Sequence, residues 1–248
     1  IQKVWLNIEK FFFPKLKNIL TVNESIARIY EKKYNKTVHY MRNVPLLKEQ
    51  EDKTLSRLEL GINEKDFVLI IQGSGLNKDR GIEEAIMALK YCKDCVLLLV
   101  GNGDVIPFAK RMVLERQMQS KVKFIPRMPY NELMRITRGA DLGLLLDKNT
   151  SLNQGLALPN KLFDYMHAGI PILSSDLKEI TKIITQYDIG SFIKTTQPEE
   201  IAEAINAYKS DKARQRRHRS NCLIAAQEEN WQKEKEKLIA VIMSSERE

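Results

Sequence analysis

From about residue 66 the chain alternates short apolar runs with segments of helical spacing, and this rhythm restricts its fold more than any other feature. Phe67-Val68-Leu69-Ile70-Ile71-Gln72 is a continuous apolar run, the pattern of a strand covered on both faces. Cys95 to Val100, Val122 to Ile125, Leu142 to Leu146 and Ile170 to Leu173 repeat it. Between them, Gly81 to Cys92, Asp104 to Met118, Tyr130 to Arg138 and a segment within Leu158 to Pro171 have helical spacing, and helices at Leu177 to Tyr187 and Pro198 to Lys209 follow. Such alternation predicts an α/β fold, a parallel sheet with helices on both faces. Sheets of this kind bind ligands beyond the carboxyl ends of their strands. That rule selects four loops: Gly73 to Gly81, Gly101 to Asp104, Pro126 to Pro129, and Asp147 to Asn160.

The segment Leu158-Pro159-Asn160-Lys161-Leu162-Phe163-Asp164-Tyr165-Met166-His167-Ala168-Gly169-Ile170-Pro171 reads as a short helix with both ends marked. Pro159 and Asn160 suit its start, with Asn160 expected to cap free amides, and Gly169 with Pro171 suits its stop. Lys161 opposes the helix dipole there, a conflict that a bound anion would remove. The plainer alternative is a surface ion pair between Lys161 and Asp164, three residues apart.

Gln72-Gly73-Ser74-Gly75-Leu76-Asn77-Lys78-Asp79-Arg80-Gly81 closes the first buried run. Small residues at Gly73, Ser74 and Gly75 let backbone amides approach a phosphate, and Arg80 can bind it bidentately. The alternative is a tight turn with an exposed arginine. Lys78 stands where a dinucleotide fingerprint needs its third glycine, and no Gly-Lys-Ser/Thr follows as in a P-loop. Val100-Gly101-Asn102-Gly103-Asp104 is a second glycine turn, for which close backbone packing is the expected reading.

The chain has 248 residues, 43% hydrophobic, with a formal net charge of +8, which points to anionic partners. Up to Arg42 nine basic residues face three acidic ones, so most of that charge lies at the start of the chain. A solvated basic face or contact with an anionic membrane would account for it. Three cysteines make a disulfide framework unexpected and a reducing, cytoplasmic setting expected. Cys92-Lys93-Asp94-Cys95 has metal-like spacing but no second pair, so no metal is expected. The basic runs lack interleaved aromatics, which argues against nucleic acid. No apolar run is long enough to span a membrane, no signal peptide is expected, and a chain that begins at Ile1 is expected to be a piece of a longer product.

Taken together, Gly73 to Gly81, Leu99-Val100-Gly101-Asn102-Gly103-Asp104, Val122 to Ile125, Gly139-Ala140-Asp141-Leu142-Gly143-Leu144 and Leu158 to Pro171 resemble the nucleotide-sugar-binding half of a retaining family 4 glycosyltransferase (glycosyl transferase group 1) with the GT-B fold. The resemblance implies a Rossmann-like donor domain at 45–210, a remnant of the acceptor domain with its crossover at 1–44, and terminal helices at 211–248 that pack back toward the acceptor domain. It implies a donor of UDP or GDP type, a glycan or lipid-linked acceptor, and no cofactor. Arg80 takes the position of the family's diphosphate-binding cation, and Lys161 is expected to share that catalytic task. Asp164 takes the ribose-binding position, while Arg127 and Met128 line the base. Gly73, Ser74, Gly75, Gly103, Leu158 and Asn160 complete the implied nucleotide-sugar site. Gly75 and Leu156 depart from the family, standing where an arginine and a sugar-contacting acid are usual. A sugar-nucleotide epimerase on the same plan and a noncatalytic membrane-docking module are the alternatives.

Overall fold

The computed structural model describes residues 2–48 and 57–245. In chain order the elements begin with α1 (Gln2–Phe12), β1 (Leu20–Thr21), α2 (Glu24–Tyr34) and β2 (His39–Tyr40). The alternating part follows as β3 (Phe67–Gly73), α3 (Ile82–Ala88), β4 (Cys95–Gly101), α4 (Ile106–Glu115), β5 (Val122–Ile125), α5 (Tyr130–Arg138) and β6 (Leu142–Leu145). Then come α6 (Leu152–Gly155), α7 (Asn160–Ala168), β7 (Ile172–Ser175), α8 (Lys178–Tyr187), β8 (Gly190–Ile193), α9 (Pro198–Ser210), α10 (Lys212–Glu228) and α11 (Trp231–Ser245). The chain divides into two units, one of residues 1–47 with 229–248, the other of residues 48–228.

The larger unit is a six-stranded sheet in the order β5-β4-β3-β6-β7-β8, parallel at every pairing. The apolar runs explain it. From Phe67 to Gln72 every residue of β3 is buried, as is every residue of β4 from Cys95 to Val100. Runs without a polar face must be covered on both sides, which a doubly wound α/β sheet achieves. Successive strands step outward from β3 on one side, then resume with β6 on the other. The direction of winding therefore reverses between β3 and β6. Just beyond the carboxyl ends of that pair lies the crevice where such sheets hold ligands.

Three features depart from the sequence reading. β8 is a sixth strand that an apolar-run criterion misses, because Gly190-Ser191-Phe192-Ile193 lies at the sheet edge with only Ile193 buried. The Asp147 to Gly155 loop contains one helical turn, α6, whose cap Ser151 accepts from the Gln154 amide at 3.2 Å. The grouping of 211–248 also changes: α10 belongs to the sheet unit. Its buried residues His218, Cys222, Ala225 and Ala226 include the small side chains that let it lie against α7 and α9.

The smaller unit pairs β1 with β2 in parallel over a small core of Ile19, Ala27 and Val38, with Phe13 stacked on Tyr30 and Tyr34. Residues 42–47 are bonded to the terminal segment. Arg42 pairs with Glu229, its amide donates to Glu234, and Leu47 and Gln232 exchange two hydrogen bonds of 2.9 Å. No helix among the described residues is long and apolar enough to cross a membrane.

Candidate donor site

The loops at the carboxyl edge are fastened to one another before any side chain of the site is considered. The loop after β3 is bonded to the loop after β4 through Leu76 N to Asn102 O at 2.9 Å, Val105 N to Leu76 O at 3.2 Å and Lys78 N to Asp104 Oδ1 at 3.1 Å. Gly103 permits that approach, since a Cβ there would lie 2.0 Å from the Leu76 carbonyl oxygen. The same loop is bonded to the one after β6 by Lys148 N to Asp79 O at 2.9 Å. Gly81 turns the chain into α3 at φ +72, pressed so close to Leu146 that a Cβ would clash at 2.3 Å. Arg80 is thereby anchored directly across the crevice from the end of β6.

Two cations converge there on one carboxylate. Arg80 Nη1 pairs with Asp147 Oδ1. Lys161 Nζ, from the first turn of α7, stands 3.3 Å from Asp147 Oδ2. The latter contact is an ion pair without aligned hydrogen-bond geometry. Asp147 is 3% exposed and the Lys161 side chain 11%. Burial lowers the Lys161 ammonium below its ordinary pKa and Arg80 lowers it further, while Asp147 opposes both. One buried negative charge therefore serves two positive ones, leaving a local excess of +1 that favours an anionic ligand.

A second group of polar residues meets beside the first. Gln72, fully buried at the end of β3, donates from Nε2 to Asp164 Oδ2 at 3.2 Å and accepts from Thr137 Oγ1 at 2.6 Å. Tyr130, at the start of α5, donates its hydroxyl to Asp164 Oδ1 at 2.9 Å. Burial lifts the Asp164 carboxyl to about 6, against the pull of the Tyr130 and Gln72 hydrogen bonds. Tyr165, packed under the sheet edge, donates to Ile70 O and receives the Gln72 amide.

These contacts decide against the plainer alternative for Lys161, a pair with Asp164, and against the expected cap at Asn160. Lys161 pairs with Asp147 and not with Asp164, because the inward face of α7 meets β6 at Lys161 and β3 at Asp164. Asn160 is the first helical residue and exposed, while the cap position is Pro159, without a side-chain cap. The other expected residues fall at the same sheet edge. Ser74 and Gly75 are exposed beside half-buried Gly73, and Leu158 is half-buried just before α7. Arg127 is exposed and Met128 half-buried in the loop after β5, which leads into Tyr130. Asp147, Gln72, Tyr130 and Thr137 contact the candidate residues, and sequence reasoning did not single them out. The only hint was the place of Asp147 and Gln72 at strand ends on the selected edge. Among the described residues no group of three or more His, Cys, Asp or Glu side chains is placed to hold a metal ion.

Comparison with known proteins bears on the fold and the family. The amylovoran biosynthesis glycosyltransferase AmsK of Erwinia amylovora is 25% identical over 142 residues, covering 56% of this chain and 34% of AmsK. Among solved structures, Anabaena Alr3699/HepE in complex with UDP and glucose superposes with a TM-score of 0.76 at 16% identity, over 98% of this chain and 66% of that one. WaaG, a glycosyltransferase involved in lipopolysaccharide biosynthesis, superposes at 0.65 and 18% identity, over 84% of this chain and 58% of its own. The chain thus spans about a third of its curated relative and under two thirds of these solved structures. The sheet is the Rossmann-like domain of the GT-B fold. The family model described as "Glycosyl transferases group 1" matches residues 52–239, and the chain belongs to that family.

Proposed function

We infer that this chain is the donor half of a glycosyltransferase, one that moves a sugar from a nucleoside diphosphate of UDP or GDP type to a glycan or lipid-linked acceptor with retention at the anomeric carbon. The observation that carries the inference is the convergence of Arg80 and Lys161 on one carboxylate at the point where the sheet reverses its winding. The difficult part of such a transfer is the departure of the diphosphate. Cations and backbone amides fixed where that charge develops stabilise it without reorganisation and without an obligatory metal. Arg80 would take the phosphates bidentately and Lys161 as a point charge. Asp164, ionised above about pH 6, would accept the ribose hydroxyls, with Arg127, Met128 and Tyr130 beside the base. HepE, of the same fold, is described with UDP and with UDP-glucose bound, which supports a nucleotide-sugar donor here. Family membership favours this over an epimerase of the same plan.

The test is thermal protection by UDP and GDP. One of them should raise the melting temperature of the wild-type chain. Asp164→Ala should abolish most of that rise, and Asp188→Ala, on the far side of the sheet, should keep it. A folded sample protected by neither nucleotide contradicts the reading.

A specific feature favours a peripheral membrane contact as well. On α1, Val4, Trp5, Phe11 and Phe12 are 56–65% exposed beside Lys3, Lys10, Lys15 and Lys17. An aromatic apolar face flanked by lysines suits an anionic leaflet, here the cytoplasmic one. Sedimentation with phosphatidylglycerol vesicles but not phosphatidylcholine vesicles, weakened by Trp5→Glu, is expected. Equal partition to both, or to neither, contradicts it.

A further inference from the structure

We propose that Asp147 is a positioning residue of the donor site: its buried carboxylate keeps the Lys161 ammonium charged and aimed into the crevice, and holds Arg80 beside it. The proposal rests on the donor-site reading and adds a residue to it. An isolated ammonium taken out of water is unfavourable and tends to lose its proton. Lys161 escapes this only through a partner, and among the described residues the one facing it is Asp147.

Among the described residues, the surroundings of Lys161 leave that duty to no other group. From the loop after β3 comes Arg80, a like charge. Lys148, next to Asp147, turns to Glu84 at 2.5 Å. On α7 itself, Asp164 is engaged by Gln72 of β3 and Tyr130 of α5. From α10, also packed on α7, Arg219 binds Ala140 O and Asp141. A diphosphate entering the crevice then meets two cations already charged and in place, at the expense of one retained carboxylate.

The direction of the linkage is definite. Lys161 binds phosphate when protonated, so affinity falls as pH rises through its folded pKa. Removing the Asp147 charge lowers that pKa, so the loss moves to lower pH. The test uses the full chain labelled with 13C at the lysine ε-carbon, with the Lys161 resonance assigned through Lys161→Arg. The Lys161 titration midpoint in Asp147→Asn should fall at least about one pH unit below wild type. UDP or GDP affinity, measured calorimetrically across the same range, should weaken at correspondingly lower pH. Adding Lys161→Arg to Asp147→Asn should remove that pH dependence, because arginine stays charged.

Arg80→Gln gives an independent check, since it leaves the whole carboxylate to Lys161 and should move the midpoint upward. That outcome decides the matter even where Asp147→Asn does not fold. Midpoints unmoved in either folded variant overturn the proposal. So does tighter nucleotide binding by Asp147→Asn at every pH, which would make Asp147 a competing anion. If the midpoints shift as expected but the wild-type chain binds neither nucleotide, the donor-site reading itself fails, and the positioning role with it.

Discussion

Tyr130 donates its hydroxyl to Asp164 Oδ1 across 2.9 Å, joining the start of one helix to the middle of another. The bond stabilises the ionised carboxyl against the burial that raises its pKa to about 6. Tyr130→Phe removes the donor and leaves the burial. The Asp164 pKa should then rise further. Nucleotide affinity, which needs the carboxylate, should begin to fall at a higher pH on acidification than in wild type. Calorimetric titrations between pH 5 and pH 8, a window of about one unit or more on either side of that pKa, check this; coincident profiles contradict it.

The same carboxyl sets an opposition between stability and binding. Its ordinary pKa of 3.8 becomes about 6 in the folded chain. An acid raised in this way favours folding fully below 3.8 and loses that contribution as pH rises through about 6. At pH 8 the buried charge costs on the order of 3 kcal/mol. Asp164→Asn removes the charge, and the Gln72 amide can turn over to accept from the new Asn. Urea denaturation should show the variant more stable at pH 8, with the gain vanishing near pH 4, while nucleotide binding is lost. A variant no more stable than wild type at pH 8 contradicts the assignment.

Asp141 belongs to one of the segments by which the chain resembles its family, yet its contacts are those of a structural residue. Its carboxylate accepts from the Val68 amide at 2.8 Å and pairs with Arg57 at 2.8 Å and Arg219 at 3.3 Å. It fastens the amino-terminal ends of β3 and β6, away from the crevice. Asp141→Ala should cost about 2–4 kcal/mol by leaving buried donors and a guanidinium without their partner. The nucleotide dissociation constant of the folded fraction should stay within about twofold of wild type, a difference of under half a kcal/mol. Denaturation and calorimetry on one preparation separate the two effects.

Gly103 tests whether the loops after β3 and β4 must meet closely. An alanine there places a methyl 2.0 Å from the Leu76 carbonyl oxygen, so backbone must move. Gly103→Ala should lower stability by about 2–3 kcal/mol, as overpacking against main chain does. It should also weaken nucleotide binding by shifting the Gly73 to Gly81 loop. An alanine variant of wild-type stability would contradict the close approach.

Most of the sheet was legible because its strands carry their burial in sequence. Phe67 to Gln72 and Cys95 to Val100 have no polar face, so both their strand character and their central place follow from composition. β8 was not legible, since an edge strand such as Gly190-Ser191-Phe192-Ile193 buries too little to leave an apolar run. The site was legible by location and only partly by partner. Arg80, Lys161 and Asp164 stand at the expected edge, but Lys161 pairs with Asp147, fourteen residues away, and not with its helical neighbour. Gln72 reads locally as the end of a strand. Its role arises from contacts 65 and 92 residues distant, with Thr137 and Asp164. Helical spacing names which residues share a face; it does not say which strand that face meets.

The central claim is that the crevice beyond β3 and β6 holds a nucleoside diphosphate. Amide chemical-shift mapping of the 15N-labelled chain, titrated with UDP and then GDP, tests it most directly. The expected result is a saturable response to one of them confined to Gly73 to Gly81, Gly101 to Asp104, Arg127 to Tyr130 and Asp147 to Asp164. Shifts centred instead on the opposite edge of the sheet, around Cys92 to Asp94 and Lys121, or no saturable shift in a folded sample, would contradict it.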